Sequence, residues 1–510
     1  MSKEQFNIIQ EDPFVRRLRS GMHIDDALLI ALDIERTYRR MFAVARDDPA
    51  IADPYVGLVN VLDTRNQGLF IAQNSRISDC FRIFQLHPKQ RPRDGDLVMV
   101  PDIGTFKNHW NLYTENMLAG LDWKGVVAAG GAVLACLSLP HVVGSSNSDI
   151  RRYQRKYYPT SDIDLFLHGI SPEEAEKKII SIYESVKEAV PHETVCIRTK
   201  NTISVHGTYP FRVVQIVLRL YASIGEILAG FDVDAPCFAF DGQVVWGSPR
   251  GIGAVMRKAN TGGYVPQISQ HGEPFREVYL LHPSELQGLA RLLSLEHIAT
   301  SDTSDGIRVD SGIINDITKS FDAMENNDYA HFHIPYGPNW DAIKITASVS
   351  NANFVMNDEV MQTELGLGDE SWRLHRHPAF YGTAEQCIAG TCLDCAAPRT
   401  DWERSLREEW DQVYVRGHVR FFQEDPGRQL MTGSFCPIDD DDWSKQAYYL
   451  SREHEQSPPQ HAAWHSRFSR TLDLLKNSIQ FAQQAMESLE HILQSESLCK
   501  AHIVPMLTSR

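Results

Sequence analysis

The sequence predicts an α+β fold, a mixed sheet with helices packed against it, and three observations carry that prediction. Residues 123–129, Trp-Lys-Gly-Val-Val-Ala-Ala, form an apolar run with the length of a buried strand; it ends at Gly130-Gly131, and residues 132–137 continue as an apolar helix. Residues 161–167, Ser-Asp-Ile-Asp-Leu-Phe-Leu, read as a second strand that leads directly into a helical segment. Residues 202–206 and 212–219 then supply two more runs of strand character.

The remaining elements follow in order. Residues 1–95 read as a helical N-terminal region, whose clearest helix covers residues 24–45, with apolar positions at helical spacing and Asp25 and Asp26 near its positive end. The polar, Pro- and Gly-containing stretch 89–95 links it to a central domain over residues 96–260. Residues 140–160 are polar, carry Arg151, Arg152, Arg155 and Lys156, and read as an inserted surface loop. A helix over 172–189 starts with Ser171 as its cap, Pro172 in the first position and acids in the first turn.

Residues 261–455 read as a mixed α/β accessory domain, with a helix around 283–297, a polar loop over 300–306, His331 and His333 one residue apart, and a strand over 415–422. Gly427, Arg428, Thr432 and Ser434 lie in a turn-rich stretch that reads as a hairpin or as a site for an anion; the acids 439–442 read as a charged surface. The chain ends in a mostly helical part, dominated by a long helix over residues 460–500. There Phe468, Leu472, Leu475, Ile479, Ala482, Met486, Leu489 and Leu493 fall at alternating steps of four and three, a coiled-coil seam. Such a seam makes a homodimer or docks within its own chain.

The chemistry concentrates at two places. Asp162 and Asp164 stand at i and i+2 in an apolar run, so a strand puts both carboxylates on one face. Burying them needs a cation, and oxygen donors of this kind suit Mg²⁺ or Mn²⁺ together with substrate phosphates. Gly130 and Gly131, at a strand-to-helix turn, let the backbone approach a phosphate while the helix start offers N–H donors; Ser161 is a further donor beside them.

In this order the motifs resemble those of the DNA polymerase beta-like nucleotidyltransferase superfamily, which includes poly(A) polymerases and nucleotide second-messenger synthases. The resemblance covers about residues 105–250. It implies a nucleotidyltransferase-like mixed sheet, two metal ions held by Asp162 and Asp164, and a nucleoside triphosphate held at Gly130, Gly131 and Ser161. The reaction implied is attack of a hydroxyl on the α-phosphorus. The acceptor is left open between an RNA 3′ end, a small molecule and a protein. The family's third carboxylate sits on a neighbouring strand, where this sequence has Gln215. Asp232 is the first substitute for it, as catalytic and metal-binding group, with Asp234 second. The opposing expectation is an inert scaffold that kept the fold and lost its chemistry at Gln215.

Composition sets outer limits. A net charge of −16 over 510 residues excludes a surface that grips nucleic acid everywhere, and leaves residues 151–156 and 250–258 as local basic patches. No apolar run of 18 residues and no apolar N-terminal core are present, so a cytoplasmic protein, or a nuclear one, with no membrane partner is expected. Nine cysteines, an odd number, suit reduced buried thiols. Cys387, Cys392 and Cys395, with His375 and His377 upstream, offer either a structural Zn²⁺ site or a metal-free turn.

Overall fold

In a computed structural model, the described residues are 12–76, 93–139, 146–158, 161–199, 202–260, 339–350, 379–390 and 417–421, apart from positions 46, 75 and 232, together with 334 and 337. All of them belong to one of two compact units, formed by residues 1–289 and 327–446. The second unit, the expected helix over 460–500 and its heptad seam included, lies outside the described residues, as do 261–333, 391–416 and 422–446.

The fold is mixed α plus β. Among the described residues nine strands join in one sheet: β1 (Val59–Asn60), β2 (Val126–Ala129), β3 (Ile163–His168), β4 (Val195–Arg198), β5 (Thr202–His206), β6 (Val214–Tyr221), β7 (Phe238–Phe240), β8 (Val245–Gly247) and β9 (Phe380–Gly382). Their order is β1-β8-β7-β2-β3-β6-β5-β4-β9, and β3 with β6 is the parallel pair in an otherwise antiparallel arrangement. Being central, β2 is buried at every position, which explains its continuous apolar run.

Helices α1 (Pro13–Arg19), α2 (Ile24–Val44), α3 (Ile103–Tyr113), α4 (Gly131–Leu137), α5 (Asn147–Tyr157), α6 (Pro172–Ala189), α7 (Ile224–Ala229) and α8 (Pro249–Arg257) surround the sheet. Residues 342–350 form α9 and Ala384–Ala389 form α10. The start of α6 carries the expected cap in full: the Ser171 hydroxyl accepts from Glu174 N–H, while the Glu174 carboxylate accepts from Ser171 N–H.

Alternation along the strands sorts their side chains into two faces. Val126, Ala128, Ile163, Leu165, Val214 and Ile216 join α3, α4 and α6 in the larger core. Val127, Ala129, Phe166 and Val217 pack with Ile224, Ile227 and Leu228 of α7 on the other face. Ile197 of β4 meets Ile345 and Val349 of α9 there. Residues 14–31 share the larger core with Val59, Val61, Ile252 and Met256, so the N-terminal helices are built into the same body as the sheet.

Three expectations need correction. The polar segment 140–160 is not only a loop: residues 147–157 are α5, an 11-residue helix whose inward positions are Ile150 and Gln154. With Ile150 as its one buried aliphatic side chain, so polar a segment reads as a loop although it is strongly one-sided. Residues 250–258 are no basic surface. They form most of α8, where the Arg250 side chain, 7% exposed, meets Glu35 at 3.0 Å and Asp234 at 3.1 Å, and Arg257 meets Asp25 at 3.3 Å. Residues 417–421, the described part of the expected strand 415–422, make no strand; Arg198 donates to the carbonyls of Gly417, Cys387 and Ile388 instead.

Candidate active site

The glycine bend is built by a backbone that other residues avoid. Gly130 has φ +95° and ψ −147°, a region closed to side chains with a Cβ. Its N–H donates to Phe238 O at 3.0 Å, fixing the bend to β7, and its carbonyl accepts from Leu134 N–H at 3.1 Å, opening α4. A Cβ placed on Gly130 would lie 3.7 Å from Asp164 Oδ2 and 3.4 Å from the Phe231 ring. One placed on Gly131 would lie 3.9 Å from Ser161 Oγ. The bend and the aspartate segment, 30 residues apart in sequence, therefore face each other.

Asp164 lies inside β3, between Ile163 and Leu165 of the larger core, and so turns to the opposite face with Phe166. Asp162 sits one residue before the strand, and both aspartates are half-buried. In the parallel ladder Asp164 pairs with Gln215, and Gln215 pairs with Ser204 of β5. An amide thus occupies the place level with Asp164 where the family resemblance requires an acid. The Ser204 hydroxyl contacts His206 Nε2 at 2.8 Å, and burial drives the His206 pKa down to about 3, so this base is neutral.

Sequence reasoning missed Arg212, which sets this segment in place. Its Nη1 donates to the carbonyls of Tyr158 at 2.6 Å and Ser161 at 2.8 Å, its Nη2 donates to Gln154 O at 3.3 Å, and its guanidinium lies 3.9 Å above the Tyr113 ring. It ties the C-terminal end of α5 to the residue before Asp162. No local pattern marks it, because its acceptors are backbone oxygens 51–58 positions away.

The substitute acids divide. Asp234 is 3% exposed and its Oδ1 is held by Arg250, which makes it part of the frame between α8 and α2. Asp232 lies outside the described residues; its neighbour Phe231 packs at Gly130 and gives its carbonyl to Arg250. Among the described residues no group of three or more His, Cys, Asp or Glu side chains is placed to hold a metal ion. Of the expected zinc cluster, Cys387 is a buried thiol aimed at Cys196 O, and burial pushes its pKa up to about 12. Cys392, Cys395, His375 and His377 lie outside the described residues, as do His331, His333 and the anion-site candidates 427–434.

One family comparison falls on this same region. Residues 105–258 are similar to the Gabija anti-defense 2 family. That stretch holds Gly130, Gly131, Ser161, Asp162, Asp164, Arg212 and Gln215. A 168-residue segment is 27% identical to an uncharacterised protein of Acanthamoeba polyphaga mimivirus, covering 30% of this chain and 33% of the viral one. The chain thus spans about a third of the length of the curated relative it matches. No solved structure matches it. No helix among the described residues is long and apolar enough to cross a membrane.

Proposed function

We propose that the chain is a metal-dependent nucleotidyltransferase that moves a nucleoside monophosphate from a nucleoside triphosphate to a hydroxyl, and that it serves in counter-defence. One observation carries the first part: at the glycine bend that opens a helix, a Cβ placed on Gly130 would lie 3.7 Å from Asp164 Oδ2, so backbone and carboxylate face each other across a space that only glycine leaves open. The likeness to the Gabija anti-defense 2 family supports the second.

The donor set suits Mg²⁺ or Mn²⁺. Asp162 and Asp164 supply carboxylate oxygens and Gln215 an amide oxygen, all hard donors, and a magnesium site of few protein ligands is completed by phosphates and water. Asp162 and Asp164 would hold the ion, which supplies charge neutralisation at the triphosphate. Gly130 and Gly131 admit the phosphates close to the backbone, with Ser161 beside them. The acceptor oxygen forms a bond to the α-phosphorus as the bond to the β-phosphate oxygen breaks, and pyrophosphate leaves. Gln215 cannot take the acceptor's proton, nor does His206, whose site disfavours the charged ring. In this row the aspartates are the groups able to receive it.

The test is incubation with each α-labelled nucleoside triphosphate and Mg²⁺ or Mn²⁺. Asp162→Asn and Asp164→Asn are expected to lower label transfer by at least on the order of a hundredfold. Equal transfer by the substituted proteins overturns the assignment. A second reading, a nucleotidyltransferase-like scaffold without turnover, rests on Gln215 level with Asp164 and on Asp234 being engaged by Arg250. Absence of transfer by the folded wild-type chain with every nucleotide and both metals would favour it.

A further inference from the structure

From the charged face of α5 we infer that the chain binds single-stranded nucleic acid, which rides on Arg151, Arg152, Arg155 and Lys156 beside the aspartate segment. This deepens the transferase reading by naming its acceptor class.

In a chain of net charge −16, α5 gathers four cations within six residues. Helical spacing puts Ser148, Arg151, Arg152, Arg155 and Lys156 on one side, and they line an open cleft of about 590 Å³. The opposite side, Ile150 and Gln154, is buried. Two acids stand among the cations. Glu115 is shared between Arg151 at 3.4 Å and Arg155 at 2.8 Å, and Asp149 meets Arg152 at 3.4 Å. All four cations thus stay on one side of the helix, and Arg152 is 72% exposed.

Charge alone would suit any polyanion, and two features favour a single strand. The lining extends from residue 148 to 156, about 12 Å of helix axis at 1.5 Å per residue, more than one phosphate group spans. On the flank of the face Tyr153 and Tyr158 pack edge to face, ring centroids 6.2 Å apart, both half-buried. Cations that follow a backbone, with aromatic rings beside them for unpaired bases, are the recognition elements of single-stranded nucleic acid. An acidic peptide has no use for the rings.

The position also serves the chemistry. Arg212 ties Gln154 and Tyr158 of this segment to Ser161, which abuts Gly131 and precedes Asp162. A strand lying on α5 therefore lies next to the segment that runs into Asp162.

The experiment is fluorescence anisotropy of labelled single-stranded RNA and DNA oligonucleotides with the full chain across a salt series, with a duplex and polyglutamate as competitors. The combined Arg152→Gln and Lys156→Gln variant is expected to bind at least tenfold more weakly at low salt. Its log–log salt slope should be shallower by about 1.4, from 0.7 per lost phosphate contact. Lys124→Gln with Lys177→Gln, both exposed and remote in sequence from α5, should bind as wild type. An unchanged melting temperature of the α5 variant excludes misfolding as the cause. Wild-type-like binding by the α5 variant, equal weakening in the control pair, or competition by polyglutamate but not by oligonucleotide overturns the inference. Asp162→Asn should bind normally while losing transfer. Loss of binding there with retention in the α5 variant refutes the α5 surface and leaves the transferase reading standing.

Discussion

Two clusters of acids, one between helices α2 and α8 and one at the start of β3, meet opposite treatments. At α8 the acids Glu35 and Asp234 close on Arg250, whose remaining donors go to the carbonyls of Leu228 and Phe231. That node joins α2, α7, α8 and the segment beside Gly130, and its side chains are 13% exposed or less. Around Asp164 the ladder neighbours are Gln215 and Ser204, and the adjacent base, His206, is neutral. A buried acid held by a permanent cation secures a fold, whereas half-buried acids level with an amide and facing a glycine bend are suited to an ion that arrives with its ligand.

Removing the permanent cation breaks the first cluster and has the largest expected effect. Arg250→Met leaves Glu35 and Asp234 buried without their guanidinium, a loss of about 3–5 kcal/mol. Urea unfolding followed by circular dichroism reads it as a lowered midpoint. The Phe231 carbonyl also loses its donor, so the wall of the glycine bend should loosen and nucleotide binding should weaken with it. A midpoint within error of wild type would mean that the node contributes nothing to the frame.

The second prediction tests whether the Asp164 row conceals a cation of its own. His206 has its pKa lowered to about 3 by burial, against an ordinary 6.5. Between those values the unfolded chain binds a proton that the folded chain refuses, so stability is complete above pH 6.5 and declines as pH falls. From pH 7 to pH 4 this group accounts for about 3 kcal/mol, 2.5 units at 1.36 kcal/mol each. His206→Gln should lose that much less stability than wild type over the same range. Equal losses in the two proteins would indicate a charged imidazolium that balances the aspartates, and the contrast with Arg250 would disappear.

Much of this frame can be read in the sequence where the signal is local. The helix at Ser171-Pro172-Glu173-Glu174, the strand ending at Gly130, and Gln215 in place of an acid each follow from residues within a turn or a strand of one another. What sequence reasoning missed depends on distance. Arg250 looked like a surface cation because Glu35 is 215 positions away. Asp234 reads as a spare ligand because its partner Arg250, 16 positions on, sits on a separate element, α8. Arg212 bonds to backbone oxygens, which every residue has, so its acceptors carry no signature. In α5 the polar residues so outnumber Ile150 that the stretch reads as a charged loop, although its one-sided cations and its capping Ser146 are ordinary signals that could have revealed it.

The smallest expected effect is also the most direct probe of what the aspartate row is for. Gln215→Asp places a third carboxylate level with Asp164. Without metal, like charges opposite one another in a ladder cost roughly 0.2–1 kcal/mol, so with chelator present the variant should melt slightly below wild type. Adding Mg²⁺ or Mn²⁺ should reverse the order, because the site with more acids binds the ion more tightly and the folded state gains RT ln(1 + [M]/Kd) from that affinity. Melting both proteins across a metal titration separates the cases. A larger metal-induced rise in the variant identifies the row as a cation site with an amide at its weak position. If the variant is destabilised and metal restores nothing, the carboxylates do not converge on one ion, and the metal assignment to Asp162 and Asp164 falls with it.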